Sequence, residues 1–87
     1  MASDFTDLET WKLAHELMLD VYQFVKLLPP SEKFKRVDQL ERSSSSIPAN
    51  IAEGYGRNSK KSFKLFLNIA RGSNYEVDCW LEIIMPT

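Results

Sequence analysis

The sequence predicts an all-α protein, an up-and-down antiparallel bundle with three helices present. Two observations carry this reading. Apolar or small residues recur at alternating steps of three and four through three separate stretches, and short connections rich in proline or glycine divide them. No stretch reads as a strand, so helix-on-helix layering is the architecture left.

The first helix places Leu8, Trp11, Ala14, Met18, Val21, Val25 and Leu28 on one face, with Glu9, Lys12, Glu16, Asp20 and Gln23 mostly opposite. Thr6 followed by Glu9 reads as a capping box, in which each side chain satisfies a backbone donor of the first turn. Pro29 and Pro30 end the segment, because proline cannot extend a helix and disfavours helical geometry in the residue before it. The expected span is residues 6–28.

The second segment opens with Ser31 as N-cap and Glu32 in the first turn. It continues through Phe34, Val37, Leu40, Ser44, Ile47, Ile51 and Tyr55. Ser43 to Ser46 form a run of poor helix formers, and Pro48 removes a backbone hydrogen bond, so either the helix kinks or the chain breaks into a serine linker. The apolar register carries across the proline from Ile47 to Ile51 to Tyr55, which favours the kinked helix. Gly54 and Gly56 then read as its C-terminal stop, giving a span of residues 31–55.

The third segment starts at Asn58 or Ser59 and aligns Phe63, Phe66, Leu67, Ala70, Ser73, Val77, Trp80, Leu81 and Ile84, over residues 59–85, before Pro86. Gly72 in its middle costs about 1 kcal/mol relative to alanine, so a close approach by a neighbouring helix is the expected compensation.

With 87 residues, 44% hydrophobic, the chain holds one domain, residues 1–87. A domain this small buries only about 60% of its unfolded surface, so leftover apolar faces favour association. The single cysteine, Cys79, excludes an internal disulfide and reads as a small buried hydrophobe. No secretory leader pattern and no membrane-length apolar run is present, which points to the cytoplasm and away from a membrane partner.

Net charge is −1, which excludes a globally basic nucleic-acid binder, but the charge is unevenly spread. Residues 53–74 carry +4 and residues 75–87 carry −3. Arg57, Lys60, Lys61, Lys64 and Arg71 form the one charged constellation, with Tyr55 and Asn58 interleaved. Lys60, Lys61 and Lys64 fall in the first turn of helix three, where cations oppose the helix dipole by a few tenths of a kcal/mol each. They could serve a solvated surface, pair with phosphates, or meet the acidic face of helix one in a neighbouring subunit.

No catalytic constellation is readable. His15, the only histidine, sits one turn from Trp11 and Met18 and reads as a boundary or core residue. The serines have no adjacent base, and one His with one Cys cannot make a four-ligand metal shell. The segment Glu53-Gly54-Tyr55-Gly56-Arg57 follows a helix and lacks phosphate-loop spacing, so it reads as a turn. The expectation is a protein that is not an enzyme, with no cofactor and no small-molecule substrate.

The residues nonetheless carry a resemblance. Ser46-Ile47-Pro48-Ala49-Asn50-Ile51-Ala52-Glu53-Gly54-Tyr55-Gly56-Arg57 is similar to the hallmark block of the bacterial four-helix-bundle proteins encoded by intervening sequences of 23S rRNA genes, a family that includes retroelement accessory proteins. Phe5 to Leu17 resembles that family's opening helix, Gln39 its helix-two glutamine, and Phe66 to Ser73 with Glu76 its third-helix block. Departures begin at Val77-Asp78-Cys79-Trp80-Leu81, and the closing fourth helix has no counterpart here.

The resemblance implies that the Pro48 stretch is helical and that Ser46, Pro48, Asn50, Glu53 and Gly54 are structural. Pro48 would set a kink and Asn50 satisfy a backbone group freed by it. It implies a homo-oligomer, a pentamer in the family, and a groove exposing apolar residues of helices one and three where the fourth helix would lie. It also implies, as the alternative role, nucleic-acid binding beside a reverse transcriptase, through the basic residues named above.

Overall fold

The structure is a computed structural model that describes residues 4–30 and 36–87. It contains a 3-10 turn at Phe5–Asp7 and three helices, α1 (Glu9–Val25), α2 (Arg36–Gly56) and α3 (Lys60–Ile84), with no strand among the described residues. The all-helical bundle is therefore as the periodicity predicts. Its dimensions are 44 × 21 × 20 Å.

α2 is the shared element. α1 and α3 each pack along it and scarcely approach each other. Val37, Leu40, Ile47 and Ile51 of α2 are buried between Ala14, Val21 and Val25 of α1 and Ala70 and Val77 of α3. Leu40 and Ile51, the largest of the fully enclosed side chains, anchor this core. Half-buried Leu8, Trp11, Leu17, Phe24, Leu67, Trp80 and Leu81 extend it on both sides.

The entry to α1 differs from the expected capping box. Thr6 belongs to the preceding 3-10 turn, and the N-cap position falls to Leu8, which has no side-chain bond to the helix. The Asp4 carboxylate takes the hydroxyl and the backbone N–H of Thr6, the latter at 2.7 Å, and these bonds hold its pKa below the usual value. A charged acceptor two residues upstream thus engages Thr6 before Glu9 can. Phe5 meets Trp11 edge-on at 5.2 Å, and Trp11 stacks on His15 at 4.7 Å, leaving the imidazole half-buried at the boundary. At the far end the helix stops at Val25, three residues short of expectation. Lys26, Leu27 and Leu28 each donate three residues back, a tightened last turn ahead of Pro29. The expected start of helix two, with Ser31 as N-cap and Phe34 on its face, lies outside the described residues.

α2 runs unbroken through Pro48, which excludes the serine linker. The serine hydroxyls are absorbed by the helix itself. Ser43 donates to the Gln39 and Leu40 carbonyls, Ser44 to Glu41 and Ser45 to Arg42, at 2.9–3.2 Å. This back-bonding lets Ser43 and Ser44 be buried, Ser44 completely, without an unsatisfied polar atom. Pro48 has no N–H for the carbonyl four residues back, that of Ser44. Asn50 reinforces a different carbonyl: its amide nitrogen donates to Ser46 O at 2.8 Å and Ser46 Oγ at 2.9 Å, one turn behind it.

Two glycine expectations exchange places. Gly54 is not a terminator but a buried helical residue at a close approach of α2 and α3, where a Cβ would lie 2.7 Å from Phe66 Cβ and 3.1 Å from Phe63 Cδ1. Gly72 faces open space, with nothing within 4 Å of a Cβ, so no neighbouring helix offsets its cost. Cys79 is exposed rather than buried. At the start of α3, Asn58 takes a left-handed φ of 61°, and Ser59 caps the helix by accepting from the Ser62 N–H at 3.1 Å.

These geometries predict opposite outcomes for one substitution at two sites. Gly54→Ala should destabilise the fold by about 1–3 kcal/mol, because Phe66 Cβ is next to the backbone and cannot rotate away. Gly72→Ala should stabilise it by up to about 1 kcal/mol through helix propensity. Chemical denaturation of both variants checks the pair. Asn50→Leu should cost about 1–2 kcal/mol in the same measurement, since two hydrogen bonds beside the proline are lost.

Candidate functional site: the α2–α3 seam and its basic end

One edge of the α2–α3 seam carries small and polar residues. Steps of three and four along α2 bring Gln39, Ser43, Ser46 and Asn50 to one edge of its buried face. Opposite them α3 offers Ser73 and, one turn on, Glu76. Ser46 Oγ and Ser73 Oγ lie 2.8 Å apart, a hydrogen bond between side chains 27 positions apart in sequence. Since Asn50 donates to the same Ser46 hydroxyl, the three residues form a chain of hydrogen bonds across the seam.

Beside this link the seam opens into a polar cleft of about 310 Å³, lined by Gln39, Arg42, Ser43, Ser46, Ser73 and Glu76. Arg42 reaches Asp38 at 3.7 Å, but both side chains are mostly exposed and the pair adds little stability. Of the cleft residues, Arg42, Ser43 and Ser73 are not singled out as a site by sequence reasoning. The available signal is the repeat of polar residues at helical spacing along an otherwise apolar face.

At the other end of the seam, Gly54, Tyr55, Asn58, Ser59, Lys60 and Phe63 line an apolar recess of about 320 Å³. Tyr55 and Phe63 meet edge-on at 6.3 Å within it. The basic residues expected to act together start here and then separate. Arg57 is tied down: its Nε donates to Glu53 Oε2 at 2.9 Å, and its guanidinium lies 5.0 Å from the centre of the Phe66 ring. Lys60, Lys61 and Lys64 are exposed and pair with no acid among the described residues. Lys60 and Lys61 sit in the first turn of α3 and Lys64 in the second. Arg71 lies two turns further along the same outer face, over the Tyr75 ring at 5.9 Å. The patch is therefore a stripe along α3 from Lys61 to Arg71, with Arg57 held at its margin.

Glu53 thus pairs with Arg57, Gly54 sets the helix spacing, Ser46 bridges to α3, Asn50 braces Ser46, and Pro48 is buried in the middle of α2. Among the described residues no group of three or more His, Cys, Asp or Glu could hold a metal ion, and no helix is long and apolar enough to cross a membrane.

No curated protein and no solved structure gives a significant match to the chain. A family match does exist and spans residues 6–87, the whole of the three-helix unit including the seam. The chain belongs to the family of 23S rRNA-intervening sequence proteins.

Proposed function

We propose that this protein is a non-enzymatic helical bundle that associates with itself and acts through that association as an interaction or scaffold protein. The observation that carries the reading is the apolar surface left on the two outer helices. Leu13, Leu19 and Leu27 of α1 and the turn after it are 62%, 46% and 82% exposed. Leu65, Ile69, Tyr75 and Ile83 of α3 are between 43% and 62% exposed. Large apolar side chains in such number along whole helices are what a protein interface covers. With α1 and α3 both resting on α2 and hardly on each other, the bundle has room for a further helix beside them.

A second reading, nucleic-acid binding, has its own support in Lys60, Lys61 and Lys64. They are exposed, have no ion-pair partner among the described residues, and stand in the first two turns of α3, with no acidic residue in the first. Phosphate would offset that local repulsion.

Sedimentation at micromolar concentration tests the first reading: an oligomer is expected, and a stable monomer that binds no hydrophobic dye contradicts it. For the second, replacing Lys60, Lys61 and Lys64 together by glutamate should abolish a salt-sensitive RNA or DNA affinity, and an unchanged affinity removes these residues from the site.

A further inference from the structure

Resting on the nucleic-acid reading, we propose which part of a nucleic acid this chain takes. It is an unpaired nucleotide of a single strand, with its base in the apolar recess at the turn from α2 to α3 and its flanking phosphates on Lys60, Lys61 and Lys64. The recess, of about 320 Å³, has Tyr55 from the end of α2 and Phe63 from the first turn of α3 among its walls. Their rings stand 75° apart with centres separated by 6.3 Å, so they form two sides of a corner. A flat ring entering that corner lies against one aromatic face and meets the other edge-on, the two arrangements that aromatic pairs prefer. Every nucleobase has such a face, so the recess accepts a base without selecting its sequence.

Charge decides what the flat ring is attached to. Lys60 lines the recess itself, and Lys64 lies one helical turn beyond both Lys60 and Lys61. Residues so spaced have Cβ atoms about 5–6 Å apart, close to the step between successive phosphates of an extended strand. The three lysines are exposed and pair with no acid among the described residues. Glu53, the acid nearest to them in sequence, is held by Arg57 at 2.9 Å, and the first acid of α3, Glu76, follows Lys64 by more than three turns. An apolar corner for a planar ring, rimmed on one side by uncompensated cations, matches a chain in which rings and anions alternate. A duplex fits poorly, because its bases are covered on both faces by their neighbours. With a net charge of −1, the chain also lacks the broad basic surface that follows a duplex backbone. Three lysines on a single strand give a shallow salt dependence, a slope of about −2 in log affinity against log salt.

Three ligands of equal length test this on the full chain at low salt: a short oligothymidylate, its duplex with oligoadenylate, and a strand of the same backbone without bases. The oligothymidylate should bind about tenfold more tightly than either of the others, with the shallow slope given above. Y55L keeps an apolar wall but removes its aromatic face. It should weaken oligothymidylate binding roughly tenfold and leave affinity for the base-free strand unchanged. Circular dichroism reports whether Y55L is folded, and if it is not, the three ligands on the unmodified protein decide alone. Equal affinity for all three, or a folded Y55L that binds oligothymidylate as before, overturns the proposal. The nucleic-acid reading survives that result if replacing Lys60, Lys61 and Lys64 by glutamate still abolishes binding. Should Y55L instead abolish self-association in sedimentation with strand affinity intact, another copy of the chain covers the recess and the proposal fails. Absence of binding to every ligand defeats the nucleic-acid reading and this proposal together.

Discussion

The distance between α2 and α3 depends on the hydrogen that Gly54 carries in place of a side chain. With Phe66 Cβ 2.7 Å from where a Cβ would be, the backbones meet at that point, and the rest of the seam follows from it. Along the same interface Ser43, Ser46 and Ser73 line its polar edge. Each brings a hydroxyl that finds a partner within the protein. The hydrogen bond between the Ser46 and Ser73 hydroxyls does so for that pair while tying one helix to the other.

The same constraint accounts for the composition of α2, which by propensity alone is a poor helix. Four consecutive serines and a proline lie in its central turns, yet it is the element around which the others pack. The serines remain helical because their hydroxyls return to carbonyls three and four residues back, and Asn50 adds a second donor to the Ser46 carbonyl near the proline. Burial of Leu40, Ile47 and Ile51 supplies the stabilisation, at roughly 1.5–3 kcal/mol for each fully buried side chain. Tertiary packing outweighs the local cost of fractions of a kcal/mol per serine.

On its outer side α3 follows other rules. Its charges are arranged against its own dipole at both ends, its mid-helix glycine touches nothing, and three large aliphatic side chains on one line are exposed. None of these stabilises the single chain. They become consistent with one another as parts of a surface that another molecule covers.

Much was legible without coordinates. The steps of three and four determine three helices and their buried faces, and the paired prolines determine that the first must end before residue 29. The continuity of register across Pro48 determines that α2 is one helix, and the resemblance carried by Ser46 to Arg57 agrees with the family to which the chain belongs. Only the tertiary structure decided how the small residues are used. Gly54 and Gly72 look alike in sequence, each a glycine near an apolar face, yet one meets a phenylalanine and the other meets solvent. Capping at Thr6, the exposure of Cys79 and the detachment of Arg57 from the lysines were decided in the same way, by neighbours distant in sequence or by competing local acceptors. Periodicity reports which side of a helix is apolar. It carries no information on how closely the next helix approaches, and in this protein that distance sets the seam.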